Sequence, residues 1–152
     1  MNLTAFQVAQ KFIGLKEVSG TAANPFILGM LQLDEPWPED DSVSWCSAFV
    51  NFIVWVFPGV VRSKSLRARS WLTVGTPVLL ADAKVGWDVV VFNRENASGD
   101  PAVIDAPGHV GFYAGRDDLG HVIVLGGNQA DTVCLAPFQS SAVLGVRRLL
   151  QE

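Results

Sequence analysis

Apolar residues recur at helical spacing in the first half of the chain and in short alternating runs in the second. Near the N-terminus Phe6, Ala9 and Ile13 share one stripe, widened by Val8 and Phe12, and Thr4 with Gln7 fits a capping box. Gly14 is placed to end that helix. Asn24 followed by Pro25 marks the start of a second helix, with Asn as cap, Pro at the first helical position, and Phe26, Ile27 and Met30 turned inward. The polar, proline-rich run LDEPWPEDD over 33–41 predicts a loop. Ser44 then stands as the cap of a third helix from Trp45 to about Phe57, apolar on nearly every side and so predicted to be buried on most of them. A shorter amphipathic segment over 65–72 precedes the breaker Gly75-Thr76-Pro77.

Beyond Gly86 the period changes. WDVVVFN, HVGFYAG, HVIVLGG, TVCLA and VLGVRRL are short, rich in β-branched and aromatic residues, and separated by turn residues: five strand candidates in succession. Helices first and strands second predict an α+β fold, with N-terminal helices packed on a C-terminal antiparallel sheet of about five strands. Residues 93–107 predict a surface loop. No linker divides the chain, so residues 1–152 are expected to form one domain.

Composition narrows the functional classes. The net charge of −4 and pI of about 5.1 leave no electrostatic footprint for nucleic acid or anionic lipid. Basic residues gather only locally, at Arg62, Lys64, Arg67 and Arg69. The most hydrophobic run, 48–60, is interrupted by Asn51 and ends at Pro58-Gly59, short of the ~20 apolar residues of a membrane span. The N-terminus lacks the basic-then-apolar order of a signal peptide, which predicts synthesis in the cytoplasm. The two cysteines, Cys46 and Cys134, are expected to stay reduced.

Candidate chemistry centres on Cys46. In the first turn of an apolar helix, free backbone amides and the helix dipole favour a thiolate, and the same amides suit an oxyanion. A cysteine there is equally an ordinary small core residue. A base must come from His109 or His121. If HVGFYAG and HVIVLGG pair through a turn at 116–120, residue 109 faces 126 or 127 and residue 121 faces 114 or 115. The histidines are then on the order of 15–20 Å apart, and they do not act together. Asn128 falls almost diagonally across from His109, where it suits the role of orienting the ring; after Gly-Gly it also suits a simple turn. Zinc is the competing chemistry, with Cys46, His109, His121 and Cys134 as donors, but neither CxxC nor HExxH spacing occurs.

Several segments occur together in an order that resembles small phage and bacterial cell-wall hydrolases related to the CHAP and NlpC/P60 cysteine peptidases, themselves papain-like. They are IGLKEVSG (13–20), NPFI (24–27), WCSAFVNF (45–52), ARSWL (68–72), VVVF (89–92), GHVGFYAG (108–115), LGGNQ (125–129) and GVRRL (145–149). The resemblance implies Cys46 as nucleophile, His109 as general base and Asn128 as the orienting residue. Many CHAP relatives carry a glutamate in that third place, whereas this chain has Gly126-Gly127-Asn128-Gln129. It also implies hydrolysis of a peptidoglycan amide without a cofactor, either the N-acetylmuramoyl–L-alanine bond or a bond within the stem peptide. The setting it suggests is that of a monomeric phage endolysin, made in the host cytoplasm and released to the wall through a holin-type partner. Calcium, as in some CHAP relatives, has candidates in Asp34, Glu35, Asp40 and Asp41, although the spacing is not that of an EF-hand. Trp37 in the same run is a candidate wall of a substrate groove. A noncatalytic wall-binding or virion module is the reading from a different class.

Overall fold

A computed structural model describes residues 2–18, 24–34, 44–94 and 97–150. Two helices begin where local chemistry places them. In α1 (Ala5–Gln10) the Thr4 hydroxyl accepts from the Gln7 amide while the Gln7 side chain accepts from the Thr4 amide, a complete capping box. In α2 (Pro25–Leu31) Asn24 Oδ1 accepts from the amides of Phe26 and Ile27, and Pro25 needs no donor partner at the first position. The third, α3 (Cys46–Trp55), is buried through Val54 except at Phe52.

The start of α3 corrects the expectation at Ser44. Trp45 is the N-cap, and among the described residues no side chain caps the helix. The Ser44 hydroxyl instead lies 3.9 Å from the Cys46 sulfur and accepts a bond from Asn128. The predicted helical segment over 65–72 becomes a 3-10 turn at Ala68–Thr73.

All five anticipated strands form, as β2 (Asp88–Asn93), β3 (Gly108–Arg116), β4 (Val122–Gln129), β5 (Thr132–Phe138) and β6 (Val143–Arg148). A sixth precedes them, β1 (Thr76–Val78). The sheet is antiparallel throughout, in the order β1-β6-β2-β3-β4-β5. Pro77 and Pro137 lie on the two edge strands, where a missing N–H costs no ladder bond.

Helix α3 packs against β3 and β4 on one face of the sheet, with α1 and α2 around it. Trp45, Phe49, Ile53, Val91, Val110, Phe112 and Leu125 meet there in the main core. A smaller cluster on the other face joins Val90, Phe92, Tyr113, Val124 and Val146. Alternate residues of β2 thus serve opposite cores, which is why VVVF reads as a continuous apolar run. Among the described residues no helix is long and apolar enough to cross a membrane.

Candidate active site

The first turn of α3 and the start of β3 bring Cys46 and His109 together. The Cys46 thiol is buried and hydrogen-bonded to the His109 side chain and to the backbone of Val110. Burial alone opposes ionisation of the thiol. The bond to His109, the charge of that ring, the Val110 amide and the nearby Arg94 charge outweigh it and lower the pKa to about 7.

His109 is itself buried, its ring stacked on Phe138 at 5.0 Å and flanked by Phe92 at 6.4 Å. Its Nε2 lies 2.8 Å from Oε1 of Gln129. The orientation of the Gln129 amide follows from its other end, where Nε2 donates to the Cys134 carbonyl at 2.6 Å and to the Val124 carbonyl at 3.3 Å. A flipped amide would turn oxygen toward two carbonyls, so Oε1 faces the ring. His109 Nε2 therefore carries a proton toward Gln129. Nδ1 is the ring nitrogen left to exchange a proton with the thiol, and a guanidinium nitrogen of Arg94 approaches it to 3.5 Å.

Asn128 does not meet His109. Its side chain donates to the Ser44 hydroxyl at 3.2 Å, and Gln129 occupies the position beside the ring expected for it. The physical reason is a bulge. Pairing between β4 and β5 shifts register between Gly126 and Gln129, and Asn128 takes a left-handed backbone (φ 56°). The inserted residue reverses the alternation of faces, so Gln129 points where an unbroken strand would have aimed residue 128. The β3–β4 register also differs slightly from the anticipated one, with Phe112 opposite Leu125 and a second bulge after Tyr113.

The paired glycines before Asn128 make this arrangement possible. A Cβ on Gly126 would stand 2.5 Å from Gln129 Oε1 and 3.3 Å from His109 Nε2, whereas one on Gly127 would strike Trp45 and Phe49 of α3. One glycine thus admits the Gln129–His109 contact, and the other lets the sheet approach the helix that carries Cys46.

Two further residues set the frame. Arg69 is fully buried with no carboxylate partner among the described residues, and its guanidinium donates to Asn93 Oδ1 and to the carbonyls of Ser98, Asp100, Val103 and Pro107. It ties down the described part of the 93–107 loop, whose last residues lead directly into His109. The expected local basic patch is thereby corrected: Arg69 is internal, and Arg62 pairs with both carboxylate oxygens of Asp34. On the opposite side Trp45 Nε1 donates to Glu17 Oε1 at 2.7 Å, linking the segment after α1 to the start of α3.

Two hollows flank the Cys46–His109 pair. One of about 770 Å³ is lined by His109, Gln129, Cys134 and Phe138, and one of about 310 Å³ by Ser44, Cys46, Arg67, Asp105 and Pro107. Arg94 borders both.

His121 lies away from this site, in the β3–β4 turn, where its Nδ1 is 2.9 Å from Asp117. Its backbone faces Asp117, not the residues at 114 or 115. Cys46 and Cys134 are both free thiols, and Cys134 supports Gln129 through its carbonyl and sulfur. Among the described residues no group of three or more histidine, cysteine, aspartate or glutamate side chains is placed to hold a metal. Glu35, Trp37, Asp40 and Asp41 lie outside the described residues.

With this geometry in hand, comparison with solved structures identifies the architecture. The chain superposes on NlpC1 from Trichomonas vaginalis with a TM-score of 0.57 at 16% identity, over 97% of this chain and 44% of that one. The fold is NlpC/P60-like. This chain thus spans less than half the length of that protein. No family model matches the sequence, and no curated protein matches it.

The sequence does not announce the Gln129 contact, because unbroken strand alternation aims residue 128 at the ring and only the bulge between Gly126 and Gln129 turns residue 129 there. The signal present was Gly-Gly ahead of two side chains able to bond an imidazole. Arg69 and Phe138 carried no local mark of their roles: a lone arginine among basic neighbours reads as surface, and a phenylalanine late in the edge strand reads as core.

Proposed function

We propose that the protein hydrolyses an amide bond of peptidoglycan by covalent catalysis, with Cys46 as nucleophile, His109 as acid and base, and Gln129 holding the ring. The observation that carries this reading is the buried thiol bonded to an imidazole whose far nitrogen is fixed by a side-chain amide, on an NlpC/P60-like fold.

The chemistry follows from the tautomer. Nδ1 of His109 takes the thiol proton, and the thiolate adds to the scissile carbonyl. Among the described residues no side chain caps α3, so the backbone amides of its first turn are the donors placed to receive the oxyanion. Collapse of the adduct expels the amine, which takes the proton from Nδ1. Water then attacks the thioester as Nδ1 accepts its proton, and the acid leaves with the thiolate restored. As the ring gains charge, the Gln129 oxygen at Nε2 stabilises the imidazolium without competing for its proton.

The motif resemblance adds the setting of an endolysin reaching the wall through a holin-type partner. Digestion of purified peptidoglycan, with new ends read by mass spectrometry, tests the function. Free lactyl carboxylates on muramic acid identify an amidase and new stem-peptide termini an endopeptidase; a digest with neither refutes the proposal.

A further inference from the structure

Three rings meet beside the reacting atoms. Phe138 stacks on His109 with centroids 5.0 Å apart and planes 17° from parallel, and it stacks on Phe92 at 4.6 Å and 24°. Phe92 and His109 face each other across the β2–β3 pair. Phe138 comes from β5, with β3 and β4 lying between it and β2 in the sheet. Curl in the sheet therefore brings the end of its edge strand over the base, where Phe138 also walls the larger hollow. Phe138 is half-buried, while His109 is 3% exposed.

A base buried this deeply has little water to solvate the charge it gains, so its neighbours decide what that charge costs. Cys46 on α3, once ionised, favours the imidazolium, and Oε1 of Gln129 on β4 accepts from it. Arg94, just past β2, opposes it from 3.5 Å. Cys134 on β5 lines the same hollow, and Arg67 and Asp105 line the one that opens on Cys46. To these Phe138 adds an uncharged neighbour, the face of its ring. A benzene face carries negative potential and attracts a cation within about 6 Å of its centroid, a condition that the stack on His109 meets. Phe92, stacked on the same ring, keeps it from turning away.

Resting on the reading of His109 as acid and base, we propose that Phe138 is a positioning residue for the reaction, holding the imidazole by its face and stabilising the charge that the ring gains from Cys46. The charge effect separates this role from packing. Packing depends on the shape of Phe138, whereas attraction for the imidazolium depends on the electron density of its ring, and fluorine withdraws density with little change of shape. The sign follows from the coupling of the two groups. An imidazolium that is held less well supports the thiolate less, so the pH midpoint of Cys46 ionisation rises.

Site-specific incorporation of mono-, di- and trifluorinated phenylalanine in place of Phe138 alone provides the test, without any assumption about the wall. Alkylation of Cys46 by iodoacetamide is followed against pH, with peptide mapping to separate it from Cys134 and thermal melting to show a folded protein. The midpoint should climb with each added fluorine and stand about half a pH unit above wild type in the trifluorinated protein. Phe138→Leu, apolar but without a ring face, should show a rise at least as large. A midpoint that stays flat or falls along the fluorine series, or one unchanged in Phe138→Leu, overturns the proposal. If the midpoint climbs while purified wall yields no new ends, the stacked pair stands and the peptidoglycan reading fails. A flat midpoint in a protein that still cleaves wall removes the role of Phe138 alone.

Discussion

Nε2 of His109 and Oε1 of Gln129 lie 2.8 Å apart, and the Gln129 amide is fixed from behind by the Cys134 carbonyl at 2.6 Å. A side chain on β4 thereby holds the plane of a ring on β3 and accepts from its Nε2. Gln129→Ala should lower kcat on peptidoglycan roughly 10- to 100-fold with a smaller change in KM, since the base remains but loses its alignment. Asn128→Gly keeps the left-handed backbone without strain and should change kcat by less than about threefold. Equal losses in both variants would return the orienting role to Asn128.

The Cys46 thiol has its pKa lowered to about 7, and His109 is the main cause of that lowering. Only the thiolate is alkylated, so the rate with iodoacetamide should rise with pH through a midpoint near 7. In His109→Ala the bond and the charge are lost while burial, which raises the pKa, persists. The midpoint should then move upward, above the ordinary thiol range. A stopped-flow pH profile of both proteins checks the sign; an unchanged midpoint would separate the thiol from the ring.

Much of the fold was legible because it rests on local chemistry. Thr4 with Gln7 and Asn24 with Pro25 name their helix starts without tertiary help, and the five longer strands carry their own patterns. What escaped depends on distant partners. β1 contains Pro77 beside Gly75 and reads as a break, yet it forms a strand because β6 offers it an edge. Ser44 looks like a cap, but Asn128 takes its hydroxyl from 84 residues away. In the site, the thiol and the ring were legible by type and spacing, whereas the face presented by residue 129 depends on a bulge that residue types alone do not announce.

Arg69 should prove to be a keystone of the loop that leads into His109. Arg69→Met fills similar space but leaves buried carbonyls without donors, and it should cost about 3 kcal/mol or more of stability. Urea unfolding followed by circular dichroism measures this, and a loss below about 1 kcal/mol would show that water replaces the guanidinium.

His121 pairs with Asp117 inside the β3–β4 turn and has no contact with Cys46 or Gln129. His121→Ala should therefore retain wall-cleaving activity within about twofold in folded protein. A loss as deep as that of His109→Ala would require a second histidine in catalysis.

The most direct test of the catalytic proposal is a paired digest of purified peptidoglycan by wild type and Cys46→Ala, with new carboxyl and amine ends counted over time. The expected result is steady release by wild type and none above the blank in Cys46→Ala, whose circular dichroism spectrum and urea midpoint show a folded protein. Release by Cys46→Ala within about tenfold of the wild-type rate would contradict a mechanism that runs through a bond to the Cys46 sulfur.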